Sequence, residues 1–350
     1  MAVKVEVRTP EELERAAARV LPAAVRDFVA GGADDEVALA GNLAAFRRRT
    51  LHPRVLAGAD DPDPAAEVLG ARLAAPVLVA PMGMQRLVHA DGELATSGAA
   101  AELGLGFVLA TGSSVPIEEI AGPARWFQLY LLADRTVTAD LVRRAVDAGC
   151  RAVVLTVDAP VVGNRPRDNR TRTSGGWRNA NFDPYPSIDA EHHGYVSTIR
   201  PDIGWADLAW LVETAGVPVV VKGVLRPEDA VRAVEHGAAG VVVSNHGGRQ
   251  LGRAVAPLDV LESVVDAVAG RAAVLLDGGV RRAADVLTAV ALGADAVLIG
   301  RLALWALAVG AREGVTAVLG GLLADIRRTM TLLGARTLAD LPGLVSSPGR

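Results

Sequence analysis

Eight short apolar runs, spaced along most of the chain, limit what it can fold into more than any other feature. They are "APVLVAP" (75 to 81), "GFVLA" (106 to 110), "WFQLY" (126 to 130), "AVVLTVD" (152 to 158), "VPVVVKG" (217 to 223), "GVVVSNH" (240 to 246), "AAVLLDGG" (272 to 279) and "AVLIG" (296 to 300). Continuous aliphatic runs of this length, with no polar alternation, mark strands covered on both faces. Between most of them lie stretches such as "TADLVRRAVDAGC", "RPEDAVRAVEHGA" and "RAADVLTAVALGA". Their apolar residues recur at three and four, and each stretch reaches a glycine, a common helix stop. Eight strand-helix units predict the α/β class and a (β/α)₈ TIM barrel. A doubly wound open sheet is the alternative, but no "GxGxxG" opens a helix after an early strand.

The expected organisation is a helical segment over residues 1 to 60 packed on the barrel, followed by the barrel itself with C-terminal helices over 61 to 350. Thr9 and Pro10, followed by acids, read as a capped helix start. One connection is anomalous. Between strands four and five the chain runs through "APVVGNRPRDNRTRTSGGWRNANFDPYPSIDAEHHGYVSTIRPDIG", too long and polar for an ordinary link and therefore a candidate lid. The chain has 350 residues, 51% of them apolar, and a net charge of −4. It carries no basic tract interleaved with aromatics, so nucleic acid is not an expected partner. Cys150 is the single cysteine, which fits a reducing compartment. The start has no signal-peptide core and no apolar run approaches the roughly 18 residues of a membrane span, so a cytoplasmic protein without a membrane partner is expected.

Polar residues gather at the strand ends. Gln128 and Tyr130 close strand three, Thr156 and Asp158 strand four, Lys222 strand five, His246 strand six, Asp277 strand seven, and Gly300 with Arg301 strand eight. In a barrel these ends meet on one face, where barrel active sites lie. "DGGVRR" (277 to 282) and "GR" (300 to 301) follow the two strands that commonly hold a phosphate, using glycine amides, a helix amino end and a cation. Gly278 and Gly279 would let backbone approach the ligand, with Arg281 and Arg301 supplying charge. Lys222 would stabilise an anionic ring system. Flavin mononucleotide explains phosphate and ring together. No metal site is expected. In "GVVVSNHGGRQLG" (240 to 252) a base and a fixed cation share one glycine turn.

These residues resemble the FMN-dependent 2-hydroxy acid oxidases and dehydrogenases, a family that includes glycolate oxidase, lactate oxidase and mandelate dehydrogenase. The resemblance runs from about Leu21 to Gly334 through "WFQLY", "TVDAPVVGNRPRD", "VVVKG", "VVVSNHGGRQL" and "LLDGGVRRAADVLTAVALGADAVLIGR". It implies His246 as catalytic base, Asp158 as its carboxylate partner, Arg165 and Arg249 as the clamp on the substrate carboxylate, and Tyr130 as hydrogen-bond partner of the reacting oxygen. For the cofactor it implies that Ala80, Pro81, Met82, Gly83 and Met84 pass the flavin ring and that Gln128, Thr156 and Lys222 bond its polar edge. Asp277, Gly279, Arg281, Gly300 and Arg301 would hold ribityl and phosphate. The implied reaction takes an (S)-2-hydroxy acid to the 2-oxo acid, with molecular oxygen or another acceptor taking the electrons. A homo-oligomer, commonly a tetramer, is implied as well.

Departures from the family pattern bear on substrate size. Phe28 stands where a tyrosine often helps bind the substrate carboxylate, and Gly112 where glycolate-type members carry bulk. Gly83 is small where many members have alanine, and Met82 and Met84 give an adaptable apolar surface. Ala110 replaces a common serine and Gly252 the aspartate of the usual "QLD". A mandelate-like or 4-hydroxymandelate-like substrate is therefore expected over lactate or glycolate. The alternatives are a short-chain oxidase, an FMN barrel isomerase of the isopentenyl diphosphate type, whose substrate has no carboxylate for Arg165 and Arg249, and a silent flavin-binding scaffold.

Overall fold

A computed structural model describes residues 9–120, 122–170, 178–189 and 194–346. Eight parallel strands close into a barrel in chain order: Val77–Val79, Gly106–Leu109, Arg125–Leu129, Val153–Thr156, Val219–Val224, Gly240–Val243, Ala273–Asp277 and Ala296–Ile299. Strand eight pairs with strand one through Val297–Val77 and Ile299–Val79. Each strand falls within or just beyond one of the eight apolar runs, and the open-sheet alternative is set aside by the closure.

Each strand buries both faces, but in different company. Val77, Phe107, Phe127, Val153, Val219, Val241, Val274 and Val297, with their i+2 partners, point outward into the main cluster shared with the helices. The opposite parity points inward: Leu78, Val108, Trp126, Val154, Val220, Val242, Leu275 and Leu298 form a second cluster with one residue from every strand. Because side chains alternate with period two, the next inward positions are Ala80, Ala110, Gln128, Thr156, Lys222, Ser244, Asp277 and Gly300. The polar ends are thus the top layer of the barrel interior, resting on an apolar floor.

Below that floor the barrel is stopped by an antiparallel hairpin, Ala66–Val68 with Ala71–Leu73, whose Val68, Ala71 and Leu73 join the inward cluster. The amino-terminal segment forms three helices, Pro10–Val20, Ala23–Ala30 and Val37–Arg47. Thr9 caps the first, its Oγ1 accepting from Glu12 N at 3.2 Å. Helix ends at Arg47, short of residue 60, and Thr50–Leu51 pairs instead with Val345–Ser346. At the other end Arg301–Leu333 is a 33-residue helix broken at Gly310 and Ala311. It is the one helix among the described residues long and apolar enough to cross a membrane by length and composition. Here it packs against Gly92–Glu102 and Pro10–Val20 and contributes Leu304, Leu307, Val315, Leu319, Ile326 and Met330 to the main core.

Trp126 is the largest side chain of the inward floor and only 1% exposed. Trp126→Ala is expected to destabilise the barrel by about 3–5 kcal/mol, read as a lowered denaturation midpoint in urea. A loss below about 1 kcal/mol would show that the floor does not support the layer above it.

Candidate active site

The carboxyl ends of the barrel strands enclose a cavity of about 570 Å³. Of the candidate catalytic, cofactor and pocket residues read from the sequence, all but Asp158 line it. Asp158 stands one shell back, against His246.

The strand-six turn presents a part-buried base to the cavity. The strand ends at Val243, Ser244 and Asn245 follow it, and His246, Gly247 and Gly248 then all take positive φ (59°, 64° and 76°). A left-handed histidine is strained backbone of the sort found at functional sites. Gly248 has no alternative, because a Cβ there would lie 2.6 Å from Leu39 N. The turn is held from below by a buried amide pair: Asn42 Nδ2 donates to Asn245 Oδ1 (2.9 Å) and Asn245 Nδ2 to Asn42 Oδ1 (2.7 Å). Asn245 Oδ1 also accepts from Gly248 N at 2.9 Å.

His246 Nδ1 and Asp158 Oδ1 lie 2.9 Å apart. With Nδ1 donating to the Asp158 carboxylate, Nε2 is the ring nitrogen left to accept a proton. Asp158 reaches it because strand five bulges at Gly223, whose φ is +110° and whose added Cβ would lie 2.6 Å from that of Asp158. Burial works against the Asp158 charge, but the attraction and hydrogen bond of His246 outweigh it, so the carboxyl is held below its ordinary range.

Lys222 is 4% exposed. Its Nζ lies 2.9 Å from Asp277 Oδ2 and donates to Ser244 Oγ at 2.9 Å. Burial opposes its charge, yet Asp277 and then Asp158 raise its pKa. Tyr130 is pushed the same way by burial and by the Asp158 charge, which keeps its hydroxyl a proton donor at neutral pH. Two buried atoms among the described residues lack a protein partner and belong to cavity-lining side chains: Gln128 Nε2, a donor, and Asp277 Oδ1, an acceptor. With Lys222 between them, they match the carbonyl edge and polyol chain of FMN, one needing donors and the other an acceptor.

Four arginines face the same cavity. Burial, then repulsion from Arg165, pulls the Arg249 guanidinium down to about 10. Burial, then Arg249 and Arg281, holds Arg301 well below its ordinary value, and burial lowers Arg281. Desolvated like charges crowded in this way favour anions. The pairs suit two of them: Arg281 and Arg301 beside Gly278 and Gly279 for a phosphate, Arg165 and Arg249 for a carboxylate. Gly279 (φ +95°) is pressed against the Asn42 carbonyl, so no side chain fits there. One expected element is otherwise engaged. The amino end of helix Ala283–Ala291 is occupied by Asp285, which accepts from Arg281 N (2.8 Å) and Arg282 N (2.9 Å). The second strand end keeps that possibility: Gly300 starts the long helix with no side-chain cap.

The substrate-size positions are placed plainly. The Phe28 ring sits 5.1 Å from the Arg249 guanidinium carbon, a cation–π contact. Phe28 O also accepts from Arg249 Nη1 at 2.7 Å. Gly112 lines the cavity, and its carbonyl accepts from Met84 N at 2.9 Å. A Cβ on Gly83 would lie 2.7 Å from that carbonyl, so Gly83 allows one close backbone crossing. At Gly252 the space of a side chain is filled by the Asp34 carboxylate.

The sequence reading passed over Ser244, Asn245 and Gln250. Ser244 shows in the sequence only as the first polar residue after the strand-six valines, whereas the Asn42–Asn245 pair spans 203 positions and gives no local signal. The long loop returns over the mouth through Val196, Ser197, Ile199 and Pro201, all cavity-lining. It is tied to the end of strand three by Ala133 N to Thr198 O (2.7 Å) and Arg200 N to Leu131 O (2.9 Å). Residues 171–177 and 190–193 of this candidate lid lie outside the described residues.

Known proteins match this chain over nearly its whole length. The chain is 44% identical over 347 residues to the L-lactate oxidase of Nostoc sp., covering 94% of this chain and 95% of that protein. It is 44% identical over 338 residues to the 4-hydroxymandelate oxidase of Amycolatopsis orientalis, covering 93% and 94%. Among solved structures, mandelate oxidase with (S)-4-hydroxymandelic acid superposes with a TM-score of 0.92 at 42% identity, over 97% of this chain and 99% of that one. A family model described as FMN-dependent dehydrogenase matches residues 17–346, and the chain belongs to that family.

Proposed function

We propose that this enzyme oxidises an (S)-2-hydroxy acid to the 2-oxo acid, and that the acid is aromatic or similarly bulky. The observation that carries the reading is the convergence on one cavity of a carboxylate-backed histidine and a buried arginine pair, beside donors and acceptors matched to FMN. Bound FMN supplies the two-electron acceptor that none of the twenty side chains provides. Gln128, Thr156 and Lys222 would hold its ring edge, with Asp277, Gly278, Gly279, Arg281, Gly300 and Arg301 around ribityl and phosphate.

The protein's own part is binding, orientation and proton handling. Arg165 and Arg249 bind the substrate carboxylate and orient the reacting carbon. The oxidation removes two electrons and two protons from the substrate: His246 takes one proton, bound FMN would supply the acceptor for the electrons and the other, and the ionised Asp158 stabilises the imidazolium that forms. Tyr130, kept protonated, donates a hydrogen bond to the reacting oxygen. The substrate of an isomerase of the isopentenyl diphosphate type has no carboxylate for the arginine pair to orient beside the base. The named relatives are oxidases, which supports molecular oxygen as the final acceptor.

Asp158→Asn is expected to keep FMN and to slow anaerobic flavin reduction by about 10²–10⁴-fold, the range of a disabled acid–base pair. The sign with pH is definite. Because the Asp158 pKa is lowered, the carboxylate stays ionised as pH falls through the usual carboxylate range, and the wild-type rate keeps its support there. In the variant the support is missing at every pH, so raising the pH does not restore the rate. Recovery to the wild-type rate in alkali would remove Asp158 from this role.

Substrate size is tested by stopped-flow reduction with mandelate, lactate and glycolate at equal concentration. Mandelate should be fastest. Gly112→Trp should reject it by overfilling the pocket while admitting the short acids. Phe28→Tyr should favour the short acids by a hydrogen bond worth about 1 kcal/mol. A parent enzyme that prefers glycolate would rule out the aromatic substrate and leave the hydroxy acid reading standing.

A further inference from the structure

We propose that Gln250 is the positioning residue that registers the strand-four loop, carrying Asp158 and Arg165, against the strand-six turn, carrying His246 and Arg249. The inference rests on the hydroxy acid reading and extends it to a residue with no direct part in the chemistry.

Gln250 uses all of its amide. Nε2 donates to Asp158 O (3.1 Å) and Val161 O (3.0 Å), while Oε1 accepts from Gly163 N (3.0 Å) and Arg165 Nη2 (3.1 Å). Two donors and two acceptor sites are the full capacity of a primary amide. None is left for substrate, so the side chain acts through the groups it holds. Those groups need holding, because residues 157–165 follow the strand without helix or sheet of their own. The loop lies flat on the turn only because Gly163 lacks a side chain, as its Cβ would collide with the Arg249 carbonyl and lie 2.7 Å from that of Gln250. Arg165 Nε adds one more tie, donating to Arg249 O at 3.0 Å.

The two halves of the amide therefore have separable duties. The donor half fixes the backbone of Asp158, and so the carboxylate behind His246; the acceptor half fixes one arm of the carboxylate clamp. A carboxylate in place of the amide keeps the acceptor half and sets a negative oxygen against two carbonyls. A leucine of similar size removes both halves.

The test compares Gln250→Glu and Gln250→Leu as FMN-loaded enzymes. Reduction by (S)-mandelate is followed anaerobically, and the Kd of phenylacetate, a carboxylate without the reacting hydroxyl, is measured from the flavin spectrum. Gln250→Glu should slow the limiting reduction rate by about tenfold or more while the phenylacetate Kd stays within about threefold. Gln250→Leu should slow reduction and also weaken phenylacetate by about tenfold. A general packing role would move both readouts together in both variants, and that result overturns the proposal, as does a Gln250→Glu enzyme at the wild-type rate. If Gln250→Leu fails to fold, the split in Gln250→Glu decides alone. A parent enzyme that no 2-hydroxy acid reduces would instead overturn the functional reading.

Discussion

The structure depends on the two-residue period of eight parallel strands. One parity must face the helices and the other the barrel axis, and the chain makes both apolar at mid-strand. Two residues further on, the outward parity remains aliphatic through Val79, Leu109, Leu129, Leu155, Val221, Val243, Leu276 and Ile299. The inward parity turns to glutamine, threonine, lysine, serine and aspartate. The same alternation therefore closes the core and aims the chemistry. A one-residue slip in any strand would reverse both together. Trp126 below Gln128 shows the arrangement within a single strand: the indole fills the floor and the amide stands on it.

Charge is the second organising force. Arg165, Arg249, Arg281 and Arg301 share a cavity in which Arg165 lowers the pKa of Arg249, and Arg249 and Arg281 lower that of Arg301. They are kept in place by carbonyls as well as acids. Arg301 donates to Val29 O, Gly31 O and Gly247 O, and Arg249 to Phe28 O and Gly31 O. Carbonyl dipoles orient a guanidinium without cancelling its charge. The site therefore retains a positive field where a phosphate and a carboxylate are to sit. Lys222 is treated differently, since Asp277 at 2.9 Å neutralises it locally.

Much of this was legible in the sequence because strand, helix and turn signals are local. Continuous valines gave the strands, and polar residues just past them gave the site. The His246–Asp158 pairing came from the family resemblance, and its geometry depends on the Gly223 bulge, which no periodicity announces. Parity itself was hidden: with both faces buried, "VVVKG" shows no alternation until its lysine. The floor hairpin was not expected, because Glu67, Arg72 and the intervening turn dilute a three-residue signal. Asp285 closing its own helix end was missed because a capping acid and a solvated acid look alike in sequence.

The carbonyls that Arg249 and Arg301 engage at Phe28, Val29 and Gly31 belong to the end of the second amino-terminal helix and the residue after it. The arginines that serve the ligands thus also pin the carboxyl end of the second amino-terminal helix. Whatever anion relieves their mutual repulsion strengthens their hold on that backbone, and by mass action the docked segment in turn tightens the anion. Cofactor retention and resistance of that helix to proteases are consequently one equilibrium seen from two sides. The second helix, although far in sequence from every catalytic motif, is held by the same guanidinium groups that face the ligand cavity.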